Sequence, residues 1–221
     1  YYANIVCPYS PFVTKLLDKV ASLNLDIKYI ATDHGPVWRE RINDIINFYR
    51  NWAEQKPTNT VIIVYDTMWG STHKMATAIA EGVRQEGVTA RLTSLKASHR
   101  SDVMIKVFNA GALVVGSPVL NSNLFPTVVD VLTYIKGLKP NNLLCSSFGS
   151  YGWNKAPLNE LKDILTNEIK AEYVGELVTA NYVPDDEVLK QCVEQGRLIA
   201  KKLKEITNEQ TVEMQRMWVH S

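Results

Sequence analysis

Cysteine is scarce in this sequence and long apolar runs are absent, and each shortage excludes a class of protein. Only three of the 221 residues are cysteine: Cys7, Cys145 and Cys192. They form no Cys-x-x-Cys pair and no spacing typical of a metal site, so we expect reduced thiols in a cytoplasmic protein. No apolar run reaches the roughly 18 residues that a membrane-spanning helix requires. The opening residues lack the segments of a signal peptide, and a start at Tyr1 rather than Met suggests a piece of a longer chain.

An excess of charge of either sign is also missing. The chain has 24 basic and 23 acidic residues, a formal net charge of +1. A balance this close to neutral gives no sign of a surface for nucleic acid or membrane. The hydrophobic content of 46% is near the average for globular proteins and is enough to form a core.

After residue 59 the sequence alternates five times between strand-like and helix-like segments. Val61 to Tyr65 is a continuous apolar run, which is typical of a strand buried on both faces of a sheet. Thr72 to Glu86 carries Met75, Ile79 and Val83 on one stripe, as an amphipathic helix does. The other predicted strands are 89–95, 111–116, 142–148 and 171–179, and the other predicted helices are 101–109, 126–136, 156–167 and 185–206. This alternation predicts an α/β fold in which helices cover both faces of a parallel sheet.

The segment before residue 60 has a different pattern. Residues 11–23 and 39–54 have the spacing of amphipathic helices, and residues 26–31 predict a short strand. A proline and polar residues at 56–59 break the pattern and predict a linker. The expected segments are a first unit, 1–55, the linker, the α/β domain, 60–206, and a polar tail, 207–221.

Parallel sheets bind ligands at the carboxyl ends of their strands. Asp66 to Thr72 directly follows the first predicted strand and is therefore the first candidate binding loop. It offers three hydroxyl groups and a run of N–H groups at the start of a helix, and it has no Lys or Arg. That combination binds a phosphate without a cation. Neither GxxxxGK[ST] nor GxGxxG follows this strand, so a terminal monophosphate fits better than ATP or NAD. The simpler interpretation, an N-cap formed by Ser71 or Thr72, leaves Trp69 at the loop tip unexplained.

Two further loops follow the third and fourth predicted strands. Gly116 to Asn123 is rich in small residues and amides, which let the backbone approach a flat heterocycle and hydrogen-bond its edge. Taken alone, this loop is equally typical of a surface turn. Ser147 to Asn154 carries Tyr151 and Trp153 among glycines. Aromatic rings usually belong to cores, but a glycine-rich loop is a poor place to build one, so we expect these rings to stack on a π-system.

Together the three loops resemble the flavodoxin family over residues 60–206. The segments YDTMWGST, VGSPVLNSNLFP and FGSYGW look most like the flavodoxin domain of the flavodiiron proteins, also called A-type flavoproteins. The resemblance implies a doubly wound, five-stranded parallel sheet in the order 2-1-3-4-5, with FMN bound at the three loops. For the FMN phosphate and one side of the ring it implies Thr67, Met68, Trp69, Gly70, Ser71 and Thr72. For the edge of the ring it implies Pro118, Val119, Asn121 and Asn123, and for the other side Ser147, Gly149, Tyr151, Gly152 and Trp153.

Residues 1–55 resemble the end of the β-lactamase-like αββα di-iron domain that precedes the flavodoxin domain in the same family. The segments that carry this resemblance are YYANIVCPYS and DHGPVW. It implies that His34 is the last iron ligand, and imidazole is a suitable ligand for iron. The family's HxExDH metal motif is absent, and one histidine cannot hold two irons. We therefore expect the other ligands on a companion chain, or the chain to be a fragment.

The function that the resemblance implies is that of an enzyme, a flavodiiron oxidoreductase. FMN would pass electrons to a di-iron site that reduces nitric oxide to nitrous oxide or dioxygen to water. The implied partners are an electron donor, such as rubredoxin or a reduced flavin or deazaflavin carrier, and further copies of the chain in a homodimer or homotetramer.

Three other functions share parts of this pattern. An FMN electron carrier with no catalysis of its own would have the same loops but should lack residues 1–55. An NAD(P)H:quinone reductase would need a substrate pocket beside the ring, for which the sequence gives no sign. A binding module without redox chemistry leaves the aromatic residues of the loops unexplained.

Overall fold

The computed structural model describes the backbone of residues 1–219 and the side chains of residues 1–208. The helices of this part are α1 (Ser10–Ser22), α2 (Ile42–Glu54), α3 (Ser71–Gln85), α4 (Arg100–Phe108), α5 (Pro126–Leu138), α6 (Pro157–Asp163) and α7 (Asp186–Val219). The strands are β1 (Thr60–Tyr65), β2 (Thr89–Ser94), β3 (Ala112–Leu120), β4 (Asn123–Leu124), β5 (Leu144–Tyr151), β6 (Glu172–Tyr173) and β7 (Val178–Asn181). Short π-helical segments, Tyr2–Val6 and Ile164–Glu168, and a 3₁₀ turn, Cys7–Tyr9, complete the regular structure.

The strands form one twisted sheet whose order is β2, β1, β3, β5, followed by β6 and β7. Every pairing along this path is parallel, and among the described strands β4 alone runs antiparallel, folding back on β3. Since β6 and β7 both pair with β5, they share the outermost position of the sheet. The α/β class and the doubly wound parallel sheet predicted from the sequence are confirmed.

The central strand β1 is buried on both faces, as its continuous apolar run predicts. Ile62 and Val64 pack into a core cluster with α4, α5 and α6. Val61 and Ile63 pack on the other face with α3 and α7. Burying an aliphatic side chain of this size contributes about 1.5–3 kcal/mol relative to leaving it in water, so these two layers supply most of the stabilisation of the sheet.

The helices α3 and α7 lie in unusually close contact. Gly82 of α3 faces the carbonyl oxygen of Val193, and Gly196 of α7 faces the carbonyl oxygen of Ile79. A Cβ atom at either glycine would overlap the opposing backbone, so the two helices can approach this closely only without side chains there. At the end of the contact, Lys204 Nζ donates to the carboxylate of Glu86 at 3.0 Å.

The prediction of one continuous fifth strand over 171–179 is wrong. The structure divides this segment into two strands, β6 and β7. Gly175 between them has φ +74°, which breaks the extended run. The Nε2 atom of Gln195 on α7 donates to the carbonyl oxygen of Val174 at 2.7 Å. A side chain from the neighbouring helix therefore takes the place of a sheet partner at the interruption, which the local sequence does not reveal.

The short strand predicted at 26–31 is also absent from the structure. Only a single antiparallel bridge forms there, in which Ile30 and Trp38 exchange backbone hydrogen bonds of 2.9 Å. Residues 23–29 have no partner strand within the described residues, and a pattern of alternating side chains is not enough without one.

The last helix extends further than the predicted end at Ile206. α7 continues to Val219, since no Gly or Pro interrupts the residues that follow Ile206. Most of the predicted tail is thus part of a helix, and His220 and Ser221 lie outside the described residues. Within the described part of the chain, α7 and the other helices are too short or too polar to cross a membrane.

Residues 2–9 are packed into the α/β domain rather than held apart from it. Ala3 and Cys7 are members of the core cluster formed with α4 and α5. Asn4 accepts a hydrogen bond from the Tyr134 hydroxyl at 3.1 Å and donates to the carbonyl oxygen of Ser101 at 3.3 Å. Gln55, at the end of α2, donates to the Cys7 sulfur at 2.8 Å. The beginning of the chain therefore contributes side chains to the core of the later domain.

The three cysteines are free and buried, so we expect them to be unreactive while the protein is folded. Burial raises the pKa of the Cys145 and Cys192 thiols to about 12 and also raises the pKa of Cys7. The thiolate is the reactive form, and at pH 8 almost none is present. A thiol assay with Ellman's reagent should find no fast-reacting cysteine in the native protein and three after unfolding in guanidinium. Rapid labelling of any native thiol would contradict this assignment.

Candidate functional site

A cleft of about 380 Å³ opens at the carboxyl edge of the sheet, where the loops after β1, β3 and β5 meet. Ten residues that the sequence analysis predicted for the site line it. They are Thr67, Met68, Trp69, Ser71, Pro118, Val119, Asn121, Tyr151, Gly152 and Trp153. The three loops are distant in sequence, and the parallel sheet brings them together because its strands all end on the same side.

Five other predicted residues are not part of this lining. Gly70, which precedes α3, has φ +94° and donates its N–H to the Thr67 hydroxyl at 3.0 Å. The buried Thr72 hydroxyl pairs with the Ser150 hydroxyl at 3.0 Å and so joins the first loop to the third. Asn123 is exposed on β4, where its amide donates to the carbonyl oxygen of Asn121 at 2.8 Å.

The remaining two, Ser147 and Gly149, are buried within β5. The Ser147 hydroxyl is 2.7 Å from the hydroxyl of Tyr173, whose pKa is raised by burial. A Cβ atom at Gly149 would overlap the carbonyl oxygen of Ser117 and the side chain of Leu158. Both residues support the wall of the cleft from behind.

The first loop is held by a buried carboxylate. Asp66, at the end of β1, accepts a hydrogen bond from the Thr67 N–H at 2.7 Å through one oxygen. Its other oxygen accepts from the Thr127 hydroxyl at 2.5 Å, which ties the loop to the first turn of α5. The Thr67 hydroxyl oxygen accepts from the Gly70 N–H, so the hydroxyl hydrogen remains able to donate to another acceptor. Asp66 therefore sets the course of the loop without entering the cleft.

The start of α3 is suited to an anion. Its first intrahelical bond is donated by Lys74 to the carbonyl oxygen of Gly70 at 3.0 Å, so the N–H groups of Ser71, Thr72 and His73 have no helical acceptor. Among the described residues, the Ser71 hydroxyl has no hydrogen-bond partner either. Unpaired N–H groups and the helix dipole attract a negative charge at this point.

The lining of the cleft includes no Lys, Arg, Asp, Glu or His within the described residues. Tyr65 and His73 flank the first loop along the chain, and their Oη and Nδ1 atoms are 2.6 Å apart. Burial, and next the charge of Asp66, raise the pKa of the Tyr65 hydroxyl, so it remains protonated. An anion at α3 would therefore be held by dipoles and hydroxyl groups and not by an ion pair.

Exposed aromatic rings stand at the mouth of the cleft. Trp69 in the first loop and Trp153 in the third are each 94% exposed. An indole ring left this far in water buries almost none of its apolar surface, although burial of such rings is a large source of binding free energy. The two tryptophans are thus placed to cover an aromatic ligand in the cleft.

The second loop forms a tight hairpin between β3 and β4. Asn121 and Ser122 both have positive φ, +50° and +57°, as the two central residues of a type I′ turn do. The Ser117 hydroxyl accepts from the Phe125 N–H at 3.0 Å and closes the base of the hairpin. The turn places Leu120 and Ser122 in the cleft lining beside the predicted residues.

Five lining residues were not singled out from the sequence: Leu120, Ser122, Ser150, Asn154 and Tyr182. The first four lie within the loops predicted to bind the ligand, but the sequence analysis assigned contacts to other residues of those loops. Tyr182 follows β7, a strand end that the sequence analysis did not examine. The rule applied to the other loops, that the carboxyl ends of parallel strands share one edge of the sheet, would have identified Tyr182 as a candidate.

His34, the predicted metal ligand, is not among the residues that line this cleft. It lies in the exposed loop between Ile30 and Trp38, the two residues of the isolated bridge. Its ring stacks on Tyr1, with centroids 4.4 Å apart, and its carbonyl oxygen accepts from the Thr32 hydroxyl at 3.2 Å. Within the described residues, no group of three or more His, Cys, Asp or Glu side chains is placed to hold a metal ion. The residues present do not by themselves fit a di-iron centre.

Comparison with known sequences decides the family. Residues 63–196 match the family model for flavodoxin. The chain belongs to the flavodoxin family.

Similarity to longer proteins extends beyond this flavodoxin domain. A protein of Moorella thermoacetica named nitric oxide reductase is 40% identical over 204 residues, which are 92% of this chain and 51% of that protein. A protein of Megalodesulfovibrio gigas named rubredoxin-oxygen oxidoreductase is 39% identical over 206 residues, again 92% of this chain and 51% of that protein. The chain spans about half the length of the curated relatives it matches.

Solved structures agree with this assignment. The rubredoxin oxygen:oxidoreductase of Desulfovibrio gigas superposes with a TM-score of 0.90 at 38% identity, over 94% of this chain and 52% of that one. The flavodiiron protein of Giardia intestinalis gives a TM-score of 0.86 at 28% identity, over 95% of this chain and 52% of that one. The resemblance to the flavodoxin domain of flavodiiron proteins is confirmed.

FMN is the cofactor that a flavodoxin domain implies, and the residues of the cleft fit it. Unpaired N–H groups at α3 suit a monophosphate, and the lack of cations in the lining suits it better than a larger polyphosphate. The exposed indoles and the polar backbone of the second loop suit the faces and edge of a flat heterocycle.

Replacing Gly149 by Ala should disrupt the wall of the cleft, because the new methyl group meets the Ser117 carbonyl and Leu158. We expect a loss of about 1–3 kcal/mol in the free energy of unfolding, measured with guanidinium. The matched control is Gly137→Ala in α5, where open space surrounds the site. That change should stabilise the helix by about 0.5–1 kcal/mol. Equal effects of the two substitutions would refute the packing role.

Proposed function

We propose that this chain binds FMN non-covalently in the cleft and serves as the FMN-binding part of a flavodiiron oxidoreductase. The observation that carries the proposal is the meeting of three loops at one sheet edge, with an anion-binding helix start among exposed aromatic rings. FMN supplies one- and two-electron chemistry to such a site, and the protein binds and orients it.

Different residues of the cleft would contact different parts of FMN. The hydroxyl groups of Thr67 and Ser71 and the first N–H groups of α3 hold the phosphate. Trp69 and Met68 lie against one side of the ring, and Tyr151, Gly152 and Trp153 against the other. Pro118, Val119 and Asn121 approach its edge. Five residues outside the lining fix these groups in place: Gly70, Thr72, Asn123, Ser147 and Gly149.

The activity of the whole protein is a further part of the proposal. Its relatives are named nitric oxide reductase, rubredoxin-oxygen oxidoreductase and anaerobic nitric oxide reductase flavorubredoxin. These names support reduction of nitric oxide to nitrous oxide or of dioxygen to water at a di-iron site, with a rubredoxin-type protein as electron donor. We propose that His34 would be one ligand of the di-iron site and that the other ligands would lie in protein outside this chain.

Residues 1–55 favour this proposal over a free electron carrier. A carrier of the flavodoxin type needs only the α/β domain, whereas the similarity to the named oxidoreductases covers more than 90% of this chain. Residues 2–9 and the end of α2 also share core contacts and hydrogen bonds with the α/β domain. A segment joined in this way is expected when the two parts work together. We also expect homodimers or homotetramers, as the resemblance to the flavodiiron proteins implies.

Iron per FMN in natively purified protein tests the whole proposal. About two irons per flavin, with turnover of nitric oxide or dioxygen, is the expected result when the remaining metal ligands are present. Flavin without iron would mean that the isolated chain acts only in electron transfer. Protein that purifies colourless and takes up no added FMN would overturn the proposed cofactor.

Ser71→Asp tests the phosphate site. An added carboxylate at the start of α3 should repel the phosphate and weaken FMN binding by at least about tenfold, since two like charges about 4 Å apart near a surface interact by about 1–4 kcal/mol. Acidic residues stabilise a helix start, so the thermal midpoint should not fall. Riboflavin, which has no phosphate, provides the control and should bind the variant as it binds the wild type. An unchanged affinity for FMN would show that the phosphate lies elsewhere.

A further inference from the structure

Tyr182 lines the cleft from a part of the chain outside the three predicted loops. It follows β7 directly and has φ +57°, a left-handed backbone conformation that a residue with a bulky side chain rarely adopts. Such a conformation persists only where the surrounding contacts impose it, and these contacts frequently mark functional sites.

Two hydrogen bonds impose it here. The Tyr182 N–H donates to the carbonyl oxygen of Tyr151 at 2.7 Å. The neighbouring Asn181 side chain donates to the carbonyl oxygen of Gly152, also at 2.7 Å. Both acceptors belong to the third loop, so the end of β7 and the end of β5 hold each other at the edge of the cleft.

The ring of Tyr182 then packs against that loop. It meets the Trp153 indole edge to face, with centroids 6.3 Å apart and an angle of 82° between the planes. It also covers Gly152, where a Cβ atom would be only 3.2 Å from the ring. In the described part of the chain, no other aromatic ring is packed against Trp153.

This contact matters because Trp153 is otherwise almost free of the protein. An indole that is 94% exposed can occupy several rotamers, and ordering it on binding a ligand costs free energy. Tyr182, itself 54% exposed, restricts Trp153 from one side before any ligand arrives. The Tyr182 hydroxyl makes no hydrogen bond within the described residues, so the ring rather than the hydroxyl carries the interaction.

We propose that Tyr182 is a positioning residue for an isoalloxazine ring: it holds Trp153 and Gly152 in the arrangement that covers the ring and adds its own edge to the wall. This inference rests on the proposed binding of FMN and extends it to a fourth strand end. The aromatic face of the site is then built by two adjacent strand ends, β5 and β7, acting as one unit.

The test compares Tyr182→Ala and Tyr182→Phe with Val183→Ala in the full chain. Val183 is the next residue, is 63% exposed and lies outside the cleft lining, so its removal is a matched loss of exposed apolar surface. The affinity for FMN is measured by titrating the apoprotein and following the quenching of flavin fluorescence. The visible circular dichroism and the midpoint potential of bound FMN report how the ring is held.

Tyr182→Ala should bind FMN roughly three- to tenfold more weakly, the range expected for loss of an aromatic pair, with altered visible dichroism and a shifted potential. Tyr182→Phe and Val183→Ala should match the wild type in all three measurements. Tyr182→Gly keeps the test valid if the alanine variant folds poorly, because glycine adopts φ +57° without strain and also removes the ring.

Wild-type affinity, dichroism and potential in Tyr182→Ala or in Tyr182→Gly would overturn the assignment of Tyr182. A phenylalanine variant as impaired as the alanine variant would overturn the claim that the ring carries the effect. Failure of the wild type itself to bind FMN is a separate outcome, since it refutes the proposed cofactor and not the contact between Tyr182 and Trp153.

Discussion

The close packing of α3 on α7 is the contact on which the candidate site most depends. Two glycines, Gly82 and Gly196, let the helix backbones touch, and this sets how closely α3 lies beside α7. Because the helix is rigid, its position at Gly82 also constrains where its first turn lies, three helical turns away at Ser71. The N–H groups that attract an anion are thus aimed by a contact at the far end of the same helix.

Two hydrogen bonds between side chains then connect the loops of the site to each other and to α5. Asp66 joins the end of β1 to α5 through Thr127, and the hydroxyl pair of Thr72 and Ser150 joins the first loop to the third. These bonds are buried or partly buried. Breaking one would leave a polar group that neither a protein partner nor solvent water satisfies, which lowers the stability of the fold. Within the described residues, the side chains of the two tryptophans make no hydrogen bond of this kind, and Trp153 alone is contacted at its edge by Tyr182.

The sheet and the three loops could be predicted from the sequence because their signals are local. The apolar run of β1 requires burial on both faces, and the spacing within α3 requires one covered face, whatever else the chain does. Side-chain roles within the loops were harder to predict, since Ser147 and Gly149 have the composition of a binding loop but lie inside β5. The break between β6 and β7 involves a hydrogen bond from Gln195, and the left-handed backbone of Tyr182 is held by Tyr151. Both partners are far away in the chain, so no local pattern could indicate these contacts.

The packing of residues 2–9 between α4 and α5 has a consequence for how such a protein can be divided. Ala3 and Cys7 complete a core whose other members run from Ile62 to Ala171, so the α/β domain is discontinuous along the polypeptide. Recombination at the linker of residues 56–59 would transfer the strands and loops but leave a groove over α4 and α5 open to water. A gene encoding the domain as a free-standing protein would have to replace those apolar contacts with polar surface. The evolutionary exchange of this module is therefore constrained by eight residues at the other end of the preceding segment.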